Sequence, residues 1–231
     1  MSDKSPDLAA LTEAALDHVP FDGWSEATLK AAGADLGLDR ATIRSLAPRG
    51  AVDLAKAFHK QGDAAVSAGG HDDRLEGLRY SEKVAALVRF RIEHAAAHRE
   101  AVRRGVTLFA LPGHAPEGAR LIWSTADAIW TALGDTSDDF NWYSKRAILS
   151  GVYSSTVLYW LGDESDGYEA TWAFLDRRIG NVMQFEKTKA MLKKNPFTAP
   201  FFGSKANPFS RIRKPGAVET GLPVGLPGGR R

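Results

Sequence analysis

The chain has 231 residues, 44% of them apolar and 25% charged, ordinary values for a globular protein able to bury a sizeable core. It contains no Cys, which excludes a disulfide framework, a thiolate zinc site and a thiol nucleophile. The net charge of +2 conceals a split: residues 187–231 carry ten Lys and Arg against one acid, a net of +9, and residues 1–186 stand at −7. A basic end on an acidic body predicts an anionic partner for that end.

Apolar residues recur at helical spacing along most of the chain, and no alternating strand pattern stands out. Leu8–His18 reads as a first helix, broken by Pro20. Ser25 is placed to cap a second helix reaching about Leu36, with Gly37 as its stop. Asp39 caps a short third helix that Pro48 closes, and a fourth runs from about Ala51 to Gln61. After the flexible patch SAGGHDD, Leu75–Arg104 suits one or two long helices. LPGHAPEG reads as a turn before a helix over Ala119–Leu133, whose Ile122, Ala126, Ile129 and Leu133 make an apolar stripe.

Helices over about Asp139–Leu161 and Tyr168–Leu192 complete the pattern, with Ser137 or Asp138 as the N-cap of the first. The uncharged run Ala147–Gly162 is 16 residues long, short for a membrane span and interrupted by Ser and Thr, so it reads as a buried helix. Six of the eleven prolines follow residue 195, which predicts a disordered tail. The organisation expected is a helix-turn-helix-like domain over 1–67, a helical ligand-binding domain over 68–186 and a basic Pro/Gly-rich tail over 187–231.

The N-terminal helices resemble the DNA-binding domain of TetR-type repressors, which makes a ligand-responsive transcriptional regulator the alternative function. Charge opposes it: residues 7–49 hold seven acids and four Lys or Arg, and the would-be recognition helix offers only Arg40 and Arg44. No nucleic-acid partner is expected. His94 and His98 have the spacing of two metal ligands on one helix, but AAA fills the interval where a general-base Glu would sit and no third ligand is signalled, so no metal is expected. Nucleophile elbows and phosphate-cradling loops are absent from the sequence, which favours a binding protein over an enzyme.

Aromatic residues crowd the second half, with Ser150, Gly151, Ser154, Ser155 and Thr156 running between them. Tight packing would explain this pattern, and so would a cavity for an elongated apolar ligand. Periodicity nominates Phe109, Leu111, Trp123, Ile129, Val152, Tyr153 and Thr156 as its lining. A second constellation is Asp139, Trp142, Tyr143 and Arg146, at the spacing of one helix face. Trp, Tyr and Arg are the residues enriched at interface hot spots.

Three segments carry a family resemblance: FDGWSEATLKAAGADLGL, TADAIWTALGDTSDDFNWYSKRAILSGVYSST and YEATWAFLDRRIGNVMQFEK. Over about residues 8–186 the chain resembles the Coq-nine family of coenzyme Q (ubiquinone) biosynthesis accessory proteins. The resemblance implies an all-α, TetR-repressor-like helical fold without DNA binding, and a homodimer holding an isoprenoid lipid or quinone intermediate in an apolar pocket. It implies a protein that is not an enzyme, needs no cofactor, and presents quinone intermediates to the di-iron demethoxyubiquinone hydroxylase. The stripe of Asp139, Trp142, Tyr143 and Arg146 then becomes the docking surface for that hydroxylase. In place of the family's C-terminal amphipathic helix stands a Pro-rich segment, whose Phe197, Phe201, Phe202 and Phe209 among Lys and Arg would contact an anionic membrane surface. The first residues lack the pattern of a signal or transit peptide, so the expected location is the bacterial cytoplasm, peripheral on the inner membrane.

Overall fold

In the N-terminal half, three helices start where the sequence supplies a side-chain acceptor for the orphan amides of a first turn. Asp7 accepts from the Ala10 N–H at 2.8 Å, Ser25 from Thr28 at 3.3 Å and Asp39 from Thr42 at 2.7 Å. The computed structural model describes residues 7–69, 75–137 and 140–194, with backbone alone for residues 140 and 185–194. Among them stand ten α-helices and no strand: α1 (Leu8–Leu16), α2 (Val19–Asp22), α3 (Glu26–Asp35), α4 (Arg40–Leu46), α5 (Ala51–Gly69), α6 (Tyr80–His94), α7 (Arg99–Ala110), α8 (Ala115–Ala132), α9 (Phe140–Gly162) and α10 (Glu169–Lys194). The all-α class is therefore as the sequence predicts.

Three boundaries differ from the sequence reading. The first helix splits after Leu16, because Pro20 is accommodated in the first turn of α2, where its missing N–H costs nothing. For the same reason α8 starts at Ala115, with Pro116 in its first turn, so half of the expected turn is helix. Helix α5 continues past Gln61 to Gly69, because Val66 is fully buried and extends its apolar face. The expected flexible patch thus loses its first residues to a helix, and residues 70–74 lie outside the described residues.

Two apolar cores form. One gathers Leu11, Ala15, Val19, Leu29, Ala32 and Leu54 from α1, α2, α3 and α5, with Trp24 from the turn before α3. The other gathers Val66, Leu87, Val88, Ile92, Ile129, Tyr153, Trp160, Trp172 and Leu175 from α5, α6 and α8–α10. Helix α5 contributes to both, so the two bodies share a rigid element. Trp24 strengthens the joint: its indole N–H donates to the Ala101 carbonyl on α7 at 3.0 Å, and its ring lies 5.8 Å from that of Phe58. At the far end, Arg99 donates to the carbonyls of Trp160 and Asp163 (2.6 and 2.7 Å), and Arg103 to that of Leu161 (2.5 Å), fastening the start of α7 to the end of α9.

Candidate functional site

Helices α5, α6, α7, α8 and α9 surround a cavity of about 400 Å³, a volume typical of small-molecule sites. Its walls are mostly apolar: Trp24, Phe58, Ile92, Val102, Val106, Phe109, Ile122, Val157 and Trp160 face it. The space exists because α7 and α8 contribute small residues where larger ones would fill it: Ala101, Gly105, Ala110, Ala115, Gly118 and Ala119 all border the lumen. Gly118 serves a second purpose. A Cβ there would lie 2.8 Å from the Phe109 Cβ, so only glycine lets α7 and α8 close into a hairpin at this point. Ala110, Ala119 and Leu158 line the cavity yet are exposed, Leu158 at 59%, and they mark its opening.

The buried end of the cavity is polar. Arg91 of α6 reaches across to α5, where its Nε donates to Asp63 Oδ1 at 3.0 Å and its Nη2 to the His59 carbonyl at 2.9 Å. Asp63 also accepts from Thr125 Oγ1 at 2.7 Å and Ser124 Oγ at 3.1 Å, both on α8. The Arg91 and Asp63 side chains are 5% and 9% exposed, so this is a buried pair whose carboxylate is supported by hydroxyl donors as well as the guanidinium, the condition under which such a pair is tolerated. It needs Gly62, because a Cβ there would come within 2.3 Å of the guanidinium carbon. His59 and Tyr153 complete the cluster and both line the cavity. Burial, and then the Arg91 charge, push the His59 pKa down to about 4 against the opposing pull of Asp63, so the ring is neutral. Burial raises the Tyr153 phenol, which therefore keeps its proton.

Of the seven residues nominated for the lining, Phe109 and Tyr153 border the cavity. The other five do not. Leu111 sits at the α7–α8 turn and is 52% exposed. Trp123 points to the other side of α8, against the rings of Trp142 and Tyr143 at 5.9 and 6.4 Å. Ile129, Val152 and Thr156 are packed in solid core, and the Thr156 hydroxyl is spent on the Val152 carbonyl at 2.7 Å. Of the small residues on α9 only Ser154 borders the lumen, so the volume comes chiefly from α7 and α8 instead. Sequence reasoning missed His59, Arg91, Phe58 and the Ala/Gly positions of α7 and α8; the recurrence of Ala101, Gly105 and Ala110, four and five residues apart, was the available signal.

The docking stripe also divides. Trp142 and Tyr143 are half-buried and stack edge to face at 4.8 Å, forming a surface cluster with Trp123. Arg146 is not on that surface. Its side chain is 3% exposed, and it donates to Asp127 at 2.5 Å and Asp135 at 3.1 Å with its guanidinium 4.0 Å from the Trp142 ring centre. A guanidinium at this position turns inward because Asp135 is itself buried and needs a counter-charge, which Lys145 shares at 2.7 Å. Burial would raise the Asp135 carboxyl, but hydrogen bonds from Lys145, Ser137 and Arg146 outweigh it and hold its pKa at about 2. Asp139, together with the membrane-contact residues Phe197, Phe201, Phe202 and Phe209, lies outside the described residues. His94 and His98 do not share a helix face, because α6 ends at His94 and a 3-10 turn follows over Ala96–His98. Among the described residues no three His, Cys, Asp or Glu converge on a metal-sized site, and no helix is long and apolar enough to cross a membrane.

Residues 115–186 match the family model described as COQ9. The chain is 32% identical over 190 residues to the mitochondrial ubiquinone biosynthesis protein COQ9 of Rattus norvegicus, covering 78% of this chain and 60% of the rat protein. The Homo sapiens protein of the same name is 29% identical over 187 residues, again 78% of this chain, of which 58% is covered. The fold is similar to the crystal structure of a TetR transcriptional regulator from Nitrosomonas europaea, with a TM-score of 0.63 at 18% identity over 75% of this chain and 95% of that one. The helical architecture is thus TetR-like. One expectation is corrected: the relatives carry mitochondrial names and come from eukaryotes, and nothing places this chain in a bacterial cytoplasm.

Two predictions follow from this geometry. Replacing Arg146→Met should lower stability by about 3 kcal/mol in urea unfolding, because it strands the buried Asp135 with Lys145 alone; an effect below about 0.5 kcal/mol would mean the pair is solvated. For His59 the folded pKa is depressed from 6.5 to about 4, so the unfolded chain gains a proton first on acidification. The contribution is whole above pH 6.5 and is lost as pH falls toward 4, by at most roughly 3 kcal/mol. Melting temperature measured across that window should fall in the wild type and be flatter in His59→Gln.

Proposed function

Because residues 115–186 match the family model described as COQ9, we propose that this protein is a non-catalytic accessory of ubiquinone biosynthesis that binds an isoprenoid lipid. Its ligands would be quinone intermediates, and it would present them to the di-iron demethoxyubiquinone hydroxylase. The observation that carries the reading is the cavity: apolar walls, an opening at Leu158 and a single polar end suit an amphiphile with a ring and a hydrocarbon tail. Each CH₂ withdrawn from water is worth about 0.8 kcal/mol, so sheltering even part of a prenyl chain lowers the barrier to handing the ring over. The names of the relatives support the pathway; the chain spans 60% of the rat protein, so the whole protein's partners are part of the proposal.

The hydroxylase would dock on the cluster of Trp123, Trp142 and Tyr143, half-buried rings that present area at little entropic cost. Arg146 supports this surface from beneath by holding Trp142. The body would act as a homodimer. A regulator of transcription has the fold in its favour and the charge against it: Arg44, one of two cations on α4, lies 3.6 Å from Glu26.

Native mass spectrometry of the purified protein, with extraction and identification of the retained lipid, should find a prenylated aromatic compound. Gly105→Leu, which places a side chain into the lumen, should release it while leaving the melting temperature nearly unchanged. A wild-type protein that is lipid-free, and binds no prenylated ring when offered one, would end the lipid reading. Trp142→Ala should weaken hydroxylase association at least tenfold; unchanged association would move the docking surface elsewhere.

A further inference from the structure

At the polar end of the cavity one ring nitrogen of His59 is left over, and its chemical sense can be assigned. His59 Nε2 lies 3.1 Å from the Leu121 carbonyl and 2.8 Å from Thr125 Oγ1, with Asp63 Oδ2 at 3.7 Å. A carbonyl only accepts, and the Thr125 hydroxyl proton is committed to Asp63 Oδ1 at 2.7 Å. Three oxygens around one ring nitrogen, two of them unable to donate to it and the third with its proton already used, put the imidazole proton on Nε2. In the neutral ring Nδ1 is then an acceptor, and it makes no hydrogen bond to any described residue.

Charge narrows the ligand further. Arg91 is matched by Asp63 in a pair shielded from water, and its Nη2 donates to the His59 carbonyl. The pair is neutral in net charge, so a carboxylate or phosphate brought out of water beside it would lack a counter-charge of its own. An ammonium would lack one too. The rings of Phe58, Tyr153 and Trp160 border the same space, a surface suited to a flat aromatic head.

Resting on the reading of the cavity as a lipid site, we infer that it takes its ligand head first, as an uncharged phenol or hydroquinol whose O–H donates to His59 Nδ1 while the tail leaves past Leu158. A quinone carbonyl or an aryl ether offers only lone pairs at that position and leaves Nδ1 unsatisfied. The protein therefore discriminates for the hydroxylated, reduced form of its amphiphile over the oxidised or methylated form. An unsatisfied buried acceptor corresponds to roughly tenfold in affinity or more.

The test is isothermal titration calorimetry of the full chain at neutral pH with three matched probes: para-nonylphenol, para-nonylanisole and decanoate. The phenol should bind about tenfold more tightly than the anisole, and decanoate more weakly than both. In His59→Phe, which keeps an aromatic ring and removes the acceptor, phenol and anisole should bind alike. Gly105→Leu should weaken all binding, which ties the signal to the cavity. Equal affinity of phenol and anisole for the wild type overturns the assignment of His59 and leaves the lipid reading intact. Preference for decanoate overturns it by showing that a positive head site exists. Failure of every probe overturns both readings together. The wild-type comparison decides the matter even if His59→Phe does not fold.

Discussion

The buried ion pair between Arg91 and Asp63 is the constraint on which the cavity depends. It joins α5 to α6 directly and recruits Thr125 and Ser124 from α8, so three walls are set by one cluster. Removing either partner alone would leave an uncompensated charge in the interior, a far larger loss than that of an exposed pair. Because the pair is almost fully shielded, it also determines what the cavity can hold. Its neutrality rejects ionic heads, its hold on the His59 carbonyl and on Thr125 fixes the ring beside it, and the guanidinium lies 6.0 Å from the ring centre of Tyr153.

Around that cluster, small residues keep the hollow open. Protein interiors are close-packed, so an apolar void persists only where backbone and side chains hold the walls apart. Helix α7 does this by being fastened at its start, through Arg99 and Arg103, to the end of α9, while Gly105 and Ala110 face inward. At its other end Gly118 lets α8 come close under Phe109. The result is a hairpin with one pinned end, bordering a cavity that opens beside Leu158.

On the opposite side of α8, Arg146 performs a similar task for the aromatic surface. It neutralises the buried Asp135 and lies over Trp142, so an electrostatic need of the interior orders a patch of half-buried rings. The two sites share helices α8 and α9 but not side chains: Ile122 and Tyr153 belong to the cavity, Trp123 and Trp142 to the patch.

Much of the helical plan is legible in the amino-acid sequence, because caps and periodicity act over three or four residues. Ser25 and Asp39 cap α3 and α4, and α9 spans nearly the stretch its pattern predicts. Local rules fail where a proline is tolerated in a first turn, as at Pro20 and Pro116, since the same residue breaks a helix a few positions later. The site was legible only in part. Spacing correctly puts Trp142, Tyr143 and Arg146 on neighbouring positions, yet which of them meets water is set by Asp127 and Asp135, up to 19 residues away. Likewise Arg91 looks like one more helix cation until Asp63, 28 residues earlier, is brought beside it. The chain's own order therefore determined the helices and an acidic body with a basic end, because those depend on neighbours in sequence. Where the interior is hollow, and which charges are buried to keep it so, was decided only when distant helices met, because burial belongs to the packed whole.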